Sequence, residues 1–384
     1  MATPSYNWVS VDLAALRHNF SALKAWVGHT VQVMAVVKAD AYGHGLVPAA
    51  QAFAAAGAET FGVAEMEEAV TLREAGLGGE IVVLFGAPSM AAAEVVRYNL
   101  SPVVFGPESL TALSQAAVAA QQEIGVHLKI DVGMGRLGVL PAEATAMAAA
   151  IQATPGLYVA GLLSHFPQAD LAQGGTEEQY HAFAKVRDAV AALAPRASLA
   201  HIANSAAVLR FLNTHATMVR PGISLYGYYP SAVSIRPEVT FKPAMGFHTQ
   251  VLQVKEVPVG YGVSYGHRFV TQRPSRLAVL PVGYDDGYLR SLTNRAQVIV
   301  RGQRAPVVGT ICMNACMVDV TDVAGVTPGD AVVLMGESGG ETIDADEIAG
   351  WMGTISYEVL CLFGSRNRRV YSGAADATPG KSDC

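Results

Sequence analysis

Between residues 31 and 226 the chain alternates short apolar runs with longer stretches rich in Ala and Glu. The runs at 31–37, 60–63, 81–85, 102–105, 125–130, 158–163, 198–202 and 217–219 read as strands covered on both faces, because such strands are apolar throughout rather than alternating. The stretches at 48–56, 65–75, 107–122, 142–153 and 176–194 have helical spacing. Eight strands with intervening helices predict a (β/α)8 TIM barrel. A doubly wound sheet shares the alternation, but its phosphate fingerprint is missing: Gly43-His44-Gly45 lacks the third glycine and an acidic partner.

Beyond Tyr226 the period changes. Pro230, Pro237 and Pro243 fall in a helix-poor linker. Strand-like runs follow at 246–257, 276–282, 297–301, 305–308, 316–320 and 331–335, with a closing one at 367–371. A single helix is expected at about 344–352, with Asp344 as its N-cap. The chain is therefore expected to hold a barrel domain over 1–240 and a C-terminal, mainly β domain over 241–384.

Composition narrows the function. Hydrophobic residues make up 51% of the 384 and charged residues 15%, so a large core is available. A net charge of -6 offers no basic field for nucleic acid. No apolar run is long enough to cross a bilayer, and the N-terminus carries no secretory pattern. The four cysteines, Cys312, Cys316, Cys361 and Cys384, suggest neither a disulfide framework nor a metal site. These features point to a cytoplasmic protein without a nucleic-acid or membrane partner.

Candidate chemistry collects where the barrel strands end, which is where this architecture builds its sites. The first strand stops at Lys38. A buried ammonium there has a lowered proton affinity and suits Schiff-base chemistry; the alternative is a lysine that snorkels to water. Lys129 and Asp131 end the fifth strand, His165 the sixth, Asn204-Ser205 follow the seventh, and Arg220-Pro221-Gly222-Ile223 follow the eighth. The loops after strands seven and eight are the usual phosphate site. Ser205 can serve there or as a plain N-cap. A phosphate site beside a strand-end lysine points to pyridoxal 5'-phosphate.

Ala35-Val36-Val37-Lys38-Ala39-Asp40-Ala41-Tyr42-Gly43-His44-Gly45 closely resembles the cofactor-lysine motif of alanine racemases, fold-type III pyridoxal-phosphate enzymes. Five further stretches resemble the family in its order: 128–138, 220–223, 262–266, 282–288 and 309–313. The resemblance implies an isomerase that interconverts L- and D-alanine, supplies D-alanine for peptidoglycan, and works as a homodimer with shared active sites. It implies that Lys38 holds the cofactor covalently and is one base, and that Tyr265 is the opposite-face acid/base, contributed by the other subunit. Tyr42, Ser205, Gly222, Ile223 and Tyr357 are implied as phosphate contacts, with Arg220 at the pyridine nitrogen and His165 beside it. Arg136 and the Met313 backbone are implied for the substrate carboxylate, and Lys129 as a carbamylated lysine. Racemisation needs two groups that straddle Cα, and lysine and tyrosine are matched, each with an ordinary pKa of about 10. Uncarbamylated, Lys129 could instead pair with Asp131. One departure is Asn314, where the family usually has aspartate. A serine or broad-specificity racemase, a decarboxylase on a related fold and a non-catalytic cofactor carrier are the alternatives.

Overall fold

The structure, a computed structural model, describes residues 5–234, 236 and 238–373, so Pro237 and Cys384 lie outside it. The chain divides into two units. One holds Ala15–Ala41 and Leu46–Lys242; the other holds the residues up to Ala14, the segment Tyr42–Gly45, and the chain from Pro243 onward.

The first unit is a closed barrel of eight parallel strands in chain order. They are Gln32–Val36, Thr60–Val63, Glu80–Val83, Ser101–Val104, Ile124–Lys129, Leu157–Leu163, Leu199–His201 and Met218–Val219. Each of the eight expected runs has its strand. Closure comes from the pairing of Gln32 with Met218 and Val33 with Val219. Met34, Val82, Val103, Leu163 and Met218, from five different strands, form one buried cluster. The five expected helices are present, and Leu13–Val27, Ala92–Arg97 and Ser205–Arg210 add to them.

The second unit is mainly β. Its large sheet runs Gln303–Pro306, Gln297–Val300, Ala331–Ser338, Met245–Gln250, Trp8–Asp12, Arg369–Ser372, with Glu341–Ile343 paired to Ala331–Ser338. A second sheet joins Gln253–Val257, Ser275–Leu280 and Cys316–Asp319. The expected continuous run at 246–257 is thus two strands in different sheets. Trp8–Asp12, which sequence patterning does not single out, pairs with strands more than two hundred residues away. The expected helix is Ala345–Met352, and the Asp344 side chain accepts from Glu347 N at 2.8 Å, as an N-cap does. A second helix, Ser356–Arg366, was not expected; it buries Val359, Leu360 and Phe363.

Candidate active site

The chain after the first barrel strand does something unusual. Ala39, Asp40, Ala41 and Tyr42 all have φ between 52° and 55°, a left-handed turn directly after Lys38. L-residues disfavour this conformation by roughly 1–2 kcal/mol each, so it persists only where the surroundings enforce it, as functional sites often do. Here Ala41 N donates to Val37 O at 2.8 Å, and the Asp40 carboxylate accepts from Leu46 N at 2.6 Å.

Lys129 is buried, 5% exposed, among cations. Burial first, then Arg220 and Arg136, push its pKa down to about 7 against a smaller opposing pull from Asp131. Pairing with Asp131 is not what the structure shows. That carboxylate accepts from the backbone N–H groups of Gly133, Met134, Gly135 and Arg136 at 2.8–3.2 Å. These bonds hold it below the usual carboxylate range although its partial burial works the other way. The loop carrying the exposed Arg136 is therefore folded around Asp131.

Arg220 is buried, 5% exposed. Its Nη2 donates to Ser164 O at 2.6 Å and to His165 Nδ1 at 3.2 Å, and Nη1 donates to His201 O at 2.6 Å. Burial, and then Arg220, Lys129, Arg136 and Lys38, hold His165 well below its ordinary pKa, so it is a neutral acceptor. Arg220 is itself lowered by burial and by Arg136, yet a guanidinium starts so high that it keeps its charge.

The helix Ser205–Arg210 is capped by Asn204, whose side chain accepts from Ala207 N at 3.1 Å. That frees Ser205 from the capping role. Its buried Oγ accepts from Gly222 N at 2.8 Å and Ser224 N at 3.5 Å, and its own proton remains to be donated. Ile223 opens the turn Ile223–Tyr226, and next to it the buried Ser224 hydroxyl has no hydrogen-bond partner among the described residues. Buried hydroxyls are seldom left so. Two buried hydroxyls with donors to spare suit the oxygens of a phosphate, and a donor-only guanidinium suits a pyridine nitrogen. These barrel residues fit pyridoxal phosphate.

In the second unit Tyr42 and Tyr357 come together, ring centroids 6.0 Å apart, and burial raises the Tyr42 pKa. Tyr265 opens the turn Tyr265–His267, which is tied to the segment before Met313. Thr310 Oγ1 donates to Tyr265 O at 2.8 Å, and Ser264 Oγ to Thr310 O at 2.5 Å. Tyr265 is 73% exposed and Met313 54%. Tyr265, Tyr261, Lys255 and Cys312 line a cavity of about 570 Å³. Among the described residues the Met313 N–H has no acceptor, while Asn314 Nδ2 donates to Asp285 at 3.4 Å. No cluster of metal-binding side chains occurs among the described residues, and no described helix is long and apolar enough to cross a membrane.

The family model described as "Alanine racemase, N-terminal domain" matches residues 11–230, and "Alanine racemase, C-terminal domain" matches 244–371. The chain belongs to the alanine racemase family. An alanine racemase of Desulfovibrio desulfuricans is 43% identical over 365 residues, 95% of this chain and 97% of that protein. One from Halothermothrix orenii is 42% identical over 95% of this chain and 96% of its own. The structure of the alanine racemase from D-cycloserine-producing Streptomyces lavendulae has a TM-score of 0.92 at 36% identity, over 97% of this chain and 99% of that one. The Bartonella henselae alanine racemase, solved with covalently bound pyridoxal phosphate, has a TM-score of 0.85 at 29% identity, over 96% of this chain and all of that one, 100%.

Within this family framework, sequence reasoning missed Ser164, Ser224, His201, His127 and Glu80. A signal existed for the histidines: His127 lies within a barrel strand and His201 ends one, and a buried polar side chain has a partner.

Proposed function

We propose that this chain is a pyridoxal-phosphate-dependent isomerase that interconverts L- and D-alanine, providing D-alanine for peptidoglycan. The observation that carries the reading is the barrel mouth itself: a strand-end lysine, a buried guanidinium and two donor-ready hydroxyls, in a chain that matches both domains of the alanine racemase family. The second domain argues against a carrier built from a barrel alone.

When bound, pyridoxal phosphate supplies an electron sink that acidifies the substrate Cα–H. Lys38 Nζ anchors the cofactor and takes or returns the Cα proton on one face. Tyr265 Oη does so on the other, so that a proton lost from one side is replaced from the opposite side. Ser205 and Ser224, with Gly222 and Ile223, would hold the phosphate, and the family resemblance assigns Tyr42 and Tyr357 to it as well. Arg220 would face the ring nitrogen and, keeping its proton, would make the bound cofactor a weaker electron sink. Arg136 and the Met313 N–H hold the substrate carboxylate.

The exposure of Tyr265 and Met313 supports a homodimer in which each second unit completes the barrel site of the other chain. Lys129 supports carbamylation: its amine is half neutral near pH 7 and can add to carbon dioxide with loss of a proton. The resulting anion replaces a cation among Arg136 and Arg220, whose carboxylate neighbour Asp131 is already occupied by backbone. No disulfide is formed among the described residues, which supports a cytoplasmic location.

The test is incubation of the purified protein and pyridoxal phosphate with each L-amino acid, followed by chiral chromatography. D-alanine as the main product is expected, and its absence sinks the reading. Asn314, an amide where the family usually has aspartate, gives the serine arm of the same experiment a reason: comparable D-serine formation would make the enzyme a broad-specificity racemase.

A further inference from the structure

A line of hydrogen bonds runs through the barrel interior away from the residues assigned so far. Arg220 Nη1 donates to His201 Nδ1 at 3.0 Å. His201 Nε2 lies 2.8 Å from His127 Nδ1, and His127 Nε2 lies 3.3 Å from Glu80 Oε1. Both imidazoles are fully buried, while Glu80 is partly exposed and also accepts from Ser101 Oγ at 2.9 Å. Arg220 follows the eighth strand, whereas Glu80 and Ser101 open the third and fourth. The line therefore joins the catalytic mouth of the barrel to its opposite end.

Its direction is fixed by its two termini. Arginine has only donors, and an ionised carboxylate has only acceptors. His201 Nδ1 must offer a lone pair to Arg220, so the proton of that ring sits on Nε2. It is donated to His127 Nδ1, so His127 also carries its proton on Nε2 and gives it to Glu80. A second proton on either ring would set two donors face to face. Burial and then Arg220 keep His201 well below its ordinary pKa, in keeping with a neutral ring. Among the described residues Arg220 has no carboxylate within ion-pair distance, so the charge facing this buried cation lies at the far end of the line.

We propose that Glu80, acting through His127 and His201, is a positioning residue for Arg220: it fixes both tautomers and so presents the guanidinium with a lone pair rather than a proton. The proposal rests on Arg220 facing the ring nitrogen, as read above. Without an acceptor at position 80, His127 can take its proton on Nδ1. That forces His201 to place its own on Nδ1, against Arg220. Glutamine keeps the acceptor oxygen and removes only the charge.

The experiment compares holoenzyme of the wild type, Glu80→Leu and Glu80→Gln by 15N NMR of labelled histidine, by the cofactor absorption spectrum and by alanine kinetics. In the wild type and Glu80→Gln, both rings are expected to be Nε2–H tautomers. In Glu80→Leu, mixed tautomers, a shifted absorption band and a roughly tenfold fall in kcat with KM nearly unchanged are expected, because a buried donor has lost its acceptor. If Glu80→Leu does not fold, His127→Phe breaks the same line and is expected to give the same fall in kcat with a mixed His201 tautomer. Unchanged tautomers, or altered tautomers with unchanged kcat and spectrum, overturn the proposal. Arg220→Lys separates the two failures. If it cripples turnover while Glu80→Leu does not, the reading of Arg220 stands and the line to Glu80 falls. If it too leaves turnover unchanged, the reading of Arg220 has failed and takes the line with it.

Discussion

The two units carry their shares of the candidate site in opposite ways. In the barrel, Lys129, Ser205 and Arg220 are each no more than 5% exposed, and Arg220 and Ser205 are held by several hydrogen bonds apiece. In the second unit, Tyr265 and Met313 stand out at 73% and 54% exposure on two segments tied together through backbone oxygens. The barrel half is preorganised at the expense of burying charge, which demands compensation at every polar atom. The other half spends little on order, and the two residues proposed to contribute to the site stand exposed. On the proposed reading the two halves separate fold from activity: a change at a buried barrel group should move stability as well as turnover, a change at exposed Tyr265 only turnover.

The largest effect expected is that of Lys38→Ala. Removing both the cofactor anchor and one base should lower turnover by at least about a thousandfold. Borohydride reduction followed by mass spectrometry should then find no cofactor adduct. A stoichiometric adduct in the variant would show that the anchor lies elsewhere.

Tyr265→Ala should come next, with roughly a hundred- to thousandfold loss of Cα–H exchange from L-alanine in deuterated solvent and a much smaller loss from D-alanine. Because Tyr265 is exposed, unfolding stability should move by no more than about 0.5 kcal/mol. Equal losses for both enantiomers would remove its face-specific role. Mixing Lys38→Ala with Tyr265→Ala protomers should restore activity by forming one intact shared site, and no recovery after verified subunit exchange would count against the dimer.

The same contrast explains what can be read from sequence. The barrel strands are legible because parallel strands covered on both faces leave bare apolar runs, and Lys38 and Arg220 are legible because a charge ends such a run. Trp8–Asp12 is not legible, since its partners Met245–Gln250 and Arg369–Ser372 are remote and its five residues carry no turn signal. The helix Leu13–Val27 could have been found: Leu16, Phe20, Leu23 and Val27 are buried at helical spacing. That Ser205 is not the cap required the structure, because only there does Asn204 take the capping position. Tyr265 and Met313 have no local pattern at all. Exposed residues on turns leave no periodicity behind, and only family resemblance picks these two out.

Lys129 tests the cost of the buried half. Its pKa is lowered to about 7 in the folded protein against an ordinary value of 10.5. Between those values the unfolded chain binds the extra proton, so stability rises with pH across this window, and the penalty for burying the charge is fully present below it. Relative to Lys129→Met, the carbonate-free wild type should be less stable at pH 7 by on the order of a few kcal/mol, and the gap should close as the pH approaches 10. Denaturant unfolding at both pH values measures this. In bicarbonate, a carbamate removes the titrating ammonium, and the gap should already be small at pH 7. A gap independent of both pH and bicarbonate would mean that Lys129 is neither a strained ammonium nor a carbamate.

The smallest effect discriminates most finely, because it sets the same chemistry in both units. Asn204 and Asp344 each cap a helix through one side-chain oxygen, at 3.1 Å to Ala207 N and 2.8 Å to Glu347 N. Alanine at either position should cost about 1 kcal/mol of stability, or roughly 1 °C in Tm for a chain this large. Only Asn204 precedes a residue of the proposed phosphate cradle, and it also donates to Phe166 O at 3.2 Å, across to the strand end that bears His165. Loss of Asn204 should therefore weaken cofactor retention several-fold in dialysis against a competing carrier, with the Asp344 variant indistinguishable from wild type. Equal retention by the two would mean that the phosphate site is not built on Ser205, and that the barrel end is held more firmly than its cap requires.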